Sequence, residues 1–84
     1  MKQNLPFGLH IVATPIGNLG DLSPRAAETL RNADHILVED TRVTAKLLAH
    51  IGAKVPMSRY DDHSSEEERD RIIARLGGEA IALV

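Results

Sequence analysis

The residues of this sequence that could do chemistry lie in three polar loops, and each loop follows a short apolar run. The pairs of run and loop are 9–13 before 14–19, 36–38 before 39–42, and 56–60 before 61–64. Ligands of parallel α/β sheets bind in the crevice outside the carboxyl ends of the strands. We therefore expect residues 15–20, 39–42 and 61–64 to lie at one edge of one sheet and to share a binding site.

The first loop, Thr14–Leu19, lacks the usual signals for nucleotide binding. It contains neither the G-x-G-x-x-G dinucleotide fingerprint nor the G-x-x-x-x-G-K-[ST] phosphate loop. Pro15 fixes its φ angle and offers no N–H donor, whereas Gly17 lets the backbone come close to a ligand. The loop suits a flat, uncharged or cationic ligand better than a pyrophosphate. The alternative is that it is simply a tight turn from strand to helix.

The second loop places two carboxylates, Glu39 and Asp40, beside the guanidinium of Arg42. Arginine always carries its charge and suits planar contacts made by two hydrogen bonds. Asp40 could accept both of those bonds at the strand end. The alternative is that Asp40 or Thr41 caps the following helix while the arginine makes a surface ion pair. The residues alone favour this alternative.

The third loop carries Asp61, Asp62 and His63, which are too few ligands for a dedicated metal site. The remaining histidines are His10, His35 and His50. They are scattered along the chain, and we interpret them as structural or solvated. The absence of cysteine excludes disulfides, thiolate metal sites and thiol nucleophiles, and it fits a cytoplasmic protein. No metal is therefore expected.

Helices are predicted between the apolar runs, so the elements alternate as β-α-β-α-β-α-β around a parallel sheet. The first helix is predicted to begin at Ser23-Pro24. The second is predicted to run from Thr41 to His50, with Gly52 as its stop. Ser64 or Ser65 is predicted to cap the third. The residues expected to face the core are Ala26, Ala27 and Leu30, then Leu47, Leu48 and Ile51, then Ile72, Ile73 and Leu76. We also expect the strand Leu9–Ala13 to be covered on both faces.

The composition is that of one small domain. The 84 residues carry a net charge of −2 and are 43% hydrophobic. They contain no apolar run near the roughly 20 residues of a membrane span and no signal-peptide pattern. The charge lacks the basic footprint usual in nucleic-acid binders, but a sum over one domain does not exclude that role. We expect residues 1–8 to be a lead-in. Because the chain ends inside the strand-like run 79–84, we expect residues 9–84 to be a truncated N-terminal α/β domain; the alternative is a complete small domain that ends on a docked strand.

The strings Leu9–Leu19, Asp21–Ala26 and Glu39–Arg42 closely resemble the ribosomal RNA small subunit methyltransferase I family of the tetrapyrrole methylase superfamily. The resemblance covers residues 8–84 and implies the incomplete N-terminal half of a two-domain fold. It also implies methyl transfer from S-adenosyl-L-methionine to the ribose 2′-hydroxyl of a cytidine in the decoding region of bacterial 16S rRNA. Family members hold the cofactor between their two domains, largely with a later loop. The resemblance therefore implies that these 84 residues are inactive alone.

The resemblance assigns roles to the loop residues by their placement. Pro15, Ile16 and Gly17 would pack near the cofactor. The residues facing the substrate nucleotide would be Asn18, Leu19, Glu39 and His63. Asp40 and Arg42 would be the catalytic pair, with Asp40 accepting a proton or orienting Arg42, and Arg42 contacting a phosphate or a base.

The implied partner is small-subunit rRNA in the cytoplasm, without a membrane, and a homodimer of the full-length enzyme is left open. Two other functions also remain open. The superfamily methylates tetrapyrrole precursors, but those members carry a first loop like Gly-x-Gly-Pro-Gly, from which Thr14–Asn18 departs. The non-enzymatic alternative is a flavodoxin-like α/β binding module.

Overall fold

The computed structural model of the protein describes residues 5–15, 19–61 and 63–84. Within them, four strands alternate with three helices, as the sequence predicts. The strands are β1 (Gly8–Ile11), β2 (His35–Val38), β3 (Met57–Arg59) and β4 (Ala80–Leu83). The helices are α1 (Pro24–Asn32), α2 (Thr41–Ile51) and α3 (Glu66–Arg75), and a single 3₁₀ turn covers Leu19–Asp21. Among these described helices none has the length and apolar character needed to cross a bilayer.

The four strands form one parallel sheet in the order β1-β4-β2-β3. The chain passes from β1 to β2 and on to β3, and then β4 returns to fill the place between β1 and β2. Leu83 of β4 aligns with Ile11 on one side and with Leu37 on the other. The carboxyl ends of the strands, and the loops that follow them, therefore meet at one edge of the sheet.

One face of the sheet carries the main hydrophobic core, with α1 and α2 packed on it. The buried core residues from strands and helices are Val12, Leu30, Ala33, Ile36, Val38, Leu47, Leu48 and Ala82. Ile36 and Leu30 are fully buried. The two helices contact each other across this face. The apolar positions predicted for α1 and α2 therefore do face the core.

The opposite face is covered in its centre and open over β1. Leu37 and Ile81 point to this face and are buried. Burial and the nearby charge of Arg75, at the end of α3, lower the pKa of His35 on the same face, so the end of α3 lies close to it. Leu9 and Ile11 point the same way but are 46% and 80% exposed.

The expectation that the strand at 9–13 is covered on both faces is therefore wrong. Among the described residues, β1 pairs with β4 alone, which makes β1 an edge strand. An apolar run is typical of a central strand, but strand order decides which strand is central. The third helix also differs from the prediction: Ile72 and Leu76 are half-buried, whereas Ile73 is 57% exposed because it lies on another side of the helix.

Local hydrogen bonds explain where the helices begin and end. Ser23 accepts a bond from the backbone N–H of Ala26 at the start of α1. Gly52 ends α2 in the left-handed conformation, at φ 68°, which a residue without Cβ adopts readily. Ser65 caps α3 by accepting from the backbone N–H of Glu68, at 3.1 Å. Of the two predicted caps, Ser64 and Ser65, the structure uses Ser65.

Candidate functional site

A crevice of about 590 Å³ opens at the edge where the four strands end. The residues lining it are Ile11, Val12, Glu39, Tyr60, Asp61, Ser64, Arg69, Leu83 and Val84. Each strand contributes a residue at or just beyond its carboxyl end, and α3 contributes Arg69. The structure thus brings Glu39 of the second loop together with Asp61 and Ser64 of the third.

A second crevice, of about 420 Å³, adjoins the first and contains the residues predicted to be catalytic. Its lining residues are Glu39, Asp40, Thr41, Arg42 and Arg59. Glu39 lines both crevices, so its exposed carboxylate marks the boundary between them. Two guanidiniums and two carboxylates therefore surround this smaller space. Such a mixed charge suits a ligand that carries phosphate and also offers hydrogen-bond donors.

Asp40 is the N-cap of α2, so the alternative in which Asp40 or Thr41 caps the helix is confirmed for Asp40. Its Oδ1 accepts the backbone N–H of Arg42 at 3.0 Å. The Nε atom of Arg42 lies 3.6 Å from the same oxygen, which is too long for a strong hydrogen bond, and the arginine side chain is 90% exposed. The backbone bond from Arg42, and after it the charge of Arg42, lower the pKa of Asp40. Asp40 is consequently ionised at neutral pH and is a weak proton acceptor.

Asp61 organises the third loop in the same way. Its Oδ1 accepts the backbone N–H of His63 at 2.8 Å, and its Oδ2 accepts the Nε–H of Arg59 at 3.0 Å. The backbone N–H of Asp61 in turn donates to the hydroxyl of Ser64. The bond from His63 is the main cause that lowers the pKa of Asp61, and Arg59 adds to it. The side chain is only 16% exposed, so this carboxylate supports the loop.

The first loop is described only in part. Pro15 is half-buried and does not line either crevice. The predictions for Ile16, Gly17 and Asn18 fall outside the described residues, as does that for the side chain of Leu19. The wall of the larger crevice on this side is Ile11 and Val12, directly before the loop.

The predicted substrate residue His63 is exposed, and its backbone N–H is held by Asp61. Its ring lines neither of the two crevices. Among the described residues, no three histidine or acidic side chains come close enough together to hold a metal ion.

Sequence reasoning missed three residues of the site: Arg59, Tyr60 and Arg69. A weak signal existed for the first two, because an arginine and the only tyrosine of the chain stand at the end of a strand. Arg69 gave no such signal, since it lies among the charged residues of α3 and reaches the crevice only through the placement of that helix.

Comparison with known proteins identifies the family to which the chain is similar. The family model for Tetrapyrrole (Corrin/Porphyrin) Methylases matches residues 8–83. Three similar relatives are each named ribosomal RNA small subunit methyltransferase I. The one from Erythrobacter litoralis is 56% identical over 74 residues, which cover 88% of this chain and 26% of the relative. Those from Xylella fastidiosa (strain Temecula1) and Synechocystis are 55% and 51% identical, over 98% and 90% of this chain.

The chain spans only 30% and 28% of those last two relatives, so less than a third of their length is represented here. The similarity nonetheless extends over nearly all of the chain and includes the loops that line both crevices. The resemblance noted in the sequence is thereby confirmed, and the chain belongs to the tetrapyrrole (corrin/porphyrin) methylase family.

Proposed function

We propose that this chain is the N-terminal part of a methyltransferase that uses S-adenosyl-L-methionine to methylate small-subunit rRNA. The acceptor proposed is the ribose 2′-hydroxyl of a cytidine in the decoding region. The observation that carries the proposal is the pair of adjoining crevices at the carboxyl edge of the sheet, in a chain whose relatives bear that name. Residues 9–84 would form part of a first α/β domain, and the full-length enzyme would be cytoplasmic, with a homodimer as its candidate assembly.

The larger crevice fits this cofactor. Val12 and Leu83 supply an apolar wall, and the carboxylates of Glu39 and Asp61 lie beside it. The lining carries two carboxylates against the one guanidinium of Arg69, and this excess of negative charge suits a ligand with a flat base and a positive charge. The chemistry supplied by the bound cofactor is an electrophilic methyl group on a sulfonium. Pro15, Ile16 and Gly17 remain the residues proposed to pack near the cofactor, although Pro15 lines neither crevice.

The chain's own residues would hold the acceptor nucleotide against that methyl group, because alignment of donor and acceptor supplies much of the rate in such a transfer. Arg42 is exposed beside the smaller crevice, where it would contact an RNA phosphate. The capping bond and the lowered pKa of Asp40 argue against its role as a proton acceptor, which leaves its other predicted role, the orientation of Arg42. Asn18, Leu19, Glu39 and His63 remain the proposed contacts to the rest of the nucleotide.

The proposal is tested with a chimera, defined as the Erythrobacter litoralis relative in which the matching 74-residue segment is replaced by the corresponding residues of this chain. We expect the chimera to transfer labelled methyl groups to small ribosomal subunits that lack the modification. Mass spectrometry of the digested RNA should give 2′-O-methylcytidine. The same relative with the segment deleted serves as the inactive control. A base-methylated product, or methylation of a tetrapyrrole precursor in place of RNA, would contradict the proposed acceptor.

A further inference from the structure

Tyr60 stands where an aromatic ring could meet a ligand. It follows the last residue of β3, and its backbone N–H donates to the carbonyl of Val38 at 2.8 Å, which extends the pairing of β2 and β3 by one residue. The side chain is half-buried and lines the larger crevice. The chain contains one other aromatic residue, Phe7, and it precedes β1 at the opposite edge of the sheet. Among the described residues, Tyr60 is therefore the one phenylalanine, tyrosine or tryptophan side chain at the carboxyl edge, and the ring of His63 nearby does not line the crevice.

The other surfaces of the crevice are shaped for a flat apolar object with polar edges. Beside the wall of Val12 and Leu83 proposed for the cofactor, Ile11 supplies a further apolar surface that is 80% exposed. Glu39 and Ser64 stand at the rim with hydrogen-bonding groups. A nucleobase has this character, since its faces stack on aromatic rings and its edges carry donors and acceptors.

Arg69 adds a cation to the same crevice. It lies in the first turns of α3, and its guanidinium is 3.8 Å from the carboxylate of Glu66. An exposed ion pair at that distance contributes little to stability. Replacement of Glu66 by a phosphate oxygen as the partner of Arg69 would therefore cost little, and the guanidinium can contact a phosphate through two hydrogen bonds.

From this arrangement we propose that Tyr60 stacks on the base of the acceptor nucleotide while Arg69 contacts a phosphate of the same nucleotide. The inference rests on the proposed function, because it supposes that the acceptor is RNA. It names two residues of substrate recognition that lie on different elements, and it requires an unstacked, single-stranded target. Sequence-specific recognition of RNA commonly uses such splayed-out bases.

The experiment uses the chimera with Tyr60→Leu, which keeps an apolar side chain, and Tyr60→Phe, which keeps the ring. Binding is measured to a single-stranded cytidine-containing oligonucleotide and to an abasic oligonucleotide of equal length. We expect the unchanged chimera and Tyr60→Phe to prefer the base-bearing strand about tenfold, and Tyr60→Leu to lose that preference, as stacking on one aromatic ring predicts. The KM for small subunits should rise by a similar factor in Tyr60→Leu, with kcat nearly unchanged.

Arg69→Gln tests the phosphate contact, with Arg71→Gln as the matched control on the same helix, since Arg71 does not line the crevice. Arg69→Gln should weaken binding of both oligonucleotides and lower the slope of log affinity against log salt concentration by about 0.7, as expected for one contact on a single strand. Arg71→Gln should leave that slope nearly unchanged. Equal effects of the two substitutions would overturn the role of Arg69.

Three results would overturn the role of Tyr60. The unchanged chimera could bind both oligonucleotides equally, or Tyr60→Leu could keep the preference for the base. A third is that Tyr60→Leu weakens binding of S-adenosyl-L-methionine and leaves RNA binding intact, in which case the ring stacks on the cofactor. Failure of the proposed function is a separate outcome, because it is read from the absence of methyl transfer by the unchanged chimera, whereas the stacking contact is read from binding.

Discussion

Asp40 and Asp61 perform the same local task after neighbouring strands. Each accepts the backbone N–H of the residue two positions on, and each has an arginine beside it, Arg42 in one case and Arg59 in the other. These contacts favour the charged carboxylate, which is why both pKa values are lowered. Both carboxylates are therefore better suited to fixing loops and arginines than to accepting a proton.

Arg42 provides the first prediction, which is made in the chimera. Arg42→Lys keeps the charge but removes the planar guanidinium, so a contact made by two hydrogen bonds is lost. We expect the rate to fall by about tenfold to a hundredfold, measured as kcat/KM with small subunits. The melting temperature should hardly change, because the side chain is 90% exposed. Arg25→Lys, in the first turn of α1, is the matched control. Unchanged turnover would contradict the RNA contact, and a large fall in melting temperature would point to a structural role.

Asp61 provides a prediction about pH. Its pKa is lower in the folded chain than in the unfolded chain, where the pKa of an aspartate is about 3.9. The unfolded state then binds more protons, so this contribution to stability is present above about pH 4 and is lost as the pH falls through the folded-state pKa. Asp61→Asn should flatten the acid limb of the melting temperature against pH. Asp70→Asn, which changes an exposed carboxylate on α3, should leave that limb in place. An unchanged acid limb in Asp61→Asn would refute the prediction.

The ends of the helices are set by hydrogen bonds to residues only a few positions away, whereas the exposure of a strand depends on which strands pair with it in the sheet. The sequence of β1 is that of a buried strand, yet among the described residues β1 lies at the edge, because only β4 pairs with it. α3 connects β3 to β4 and contributes Arg69 to the lining of the crevice. The shape of the site is consequently a property of the crossover from β3 to β4.

The cap of α3 gives a test at this level. Ser65→Ala removes the side-chain acceptor for the backbone N–H of Glu68 and should lower the free energy of unfolding of the 84-residue chain by about 1 kcal/mol, measured by urea denaturation. Ser65→Asp should retain most of the stability, because aspartate caps helices and favours the positive end of the helix dipole. If Ser65→Ala is as stable as the unchanged chain, the cap does not contribute as the structure implies.

The larger crevice of the 84-residue chain is open on the side of β1, where Ile11 is 80% exposed. It also corresponds to only 26% of the Erythrobacter litoralis relative. Methyl transfer requires donor and acceptor to be held in line, and an open crevice holds neither tightly.

We therefore expect the 84-residue chain alone to transfer no methyl group from labelled S-adenosyl-L-methionine to small subunits, whereas the chimera does so under identical conditions. Clear turnover by the chain alone would show that these residues are sufficient and would remove the need for any further part of the site.

Local order was predictable from the sequence because its causes are local. Ser23 and Pro24 begin a helix, and Gly52 ends one, through hydrogen bonds and backbone angles that involve only neighbouring residues. The alternation of apolar runs with helices was sufficient to predict a parallel sheet, and a parallel sheet necessarily places the loops after its strands at one edge. The contact of Glu39 with the same crevice as Asp61 and Ser64 follows from that rule.

Only the tertiary structure decided which strand is central and which residues from distant elements meet. Insertion of β4 between β1 and β2 leaves Ile11 exposed, although its run looks buried, and it brings Arg69 of α3 to the same crevice as Tyr60. The physical reason is that strand order is set by long-range pairing and burial, which depend on the packing of the entire chain, whereas caps and turns depend on residues a few positions apart.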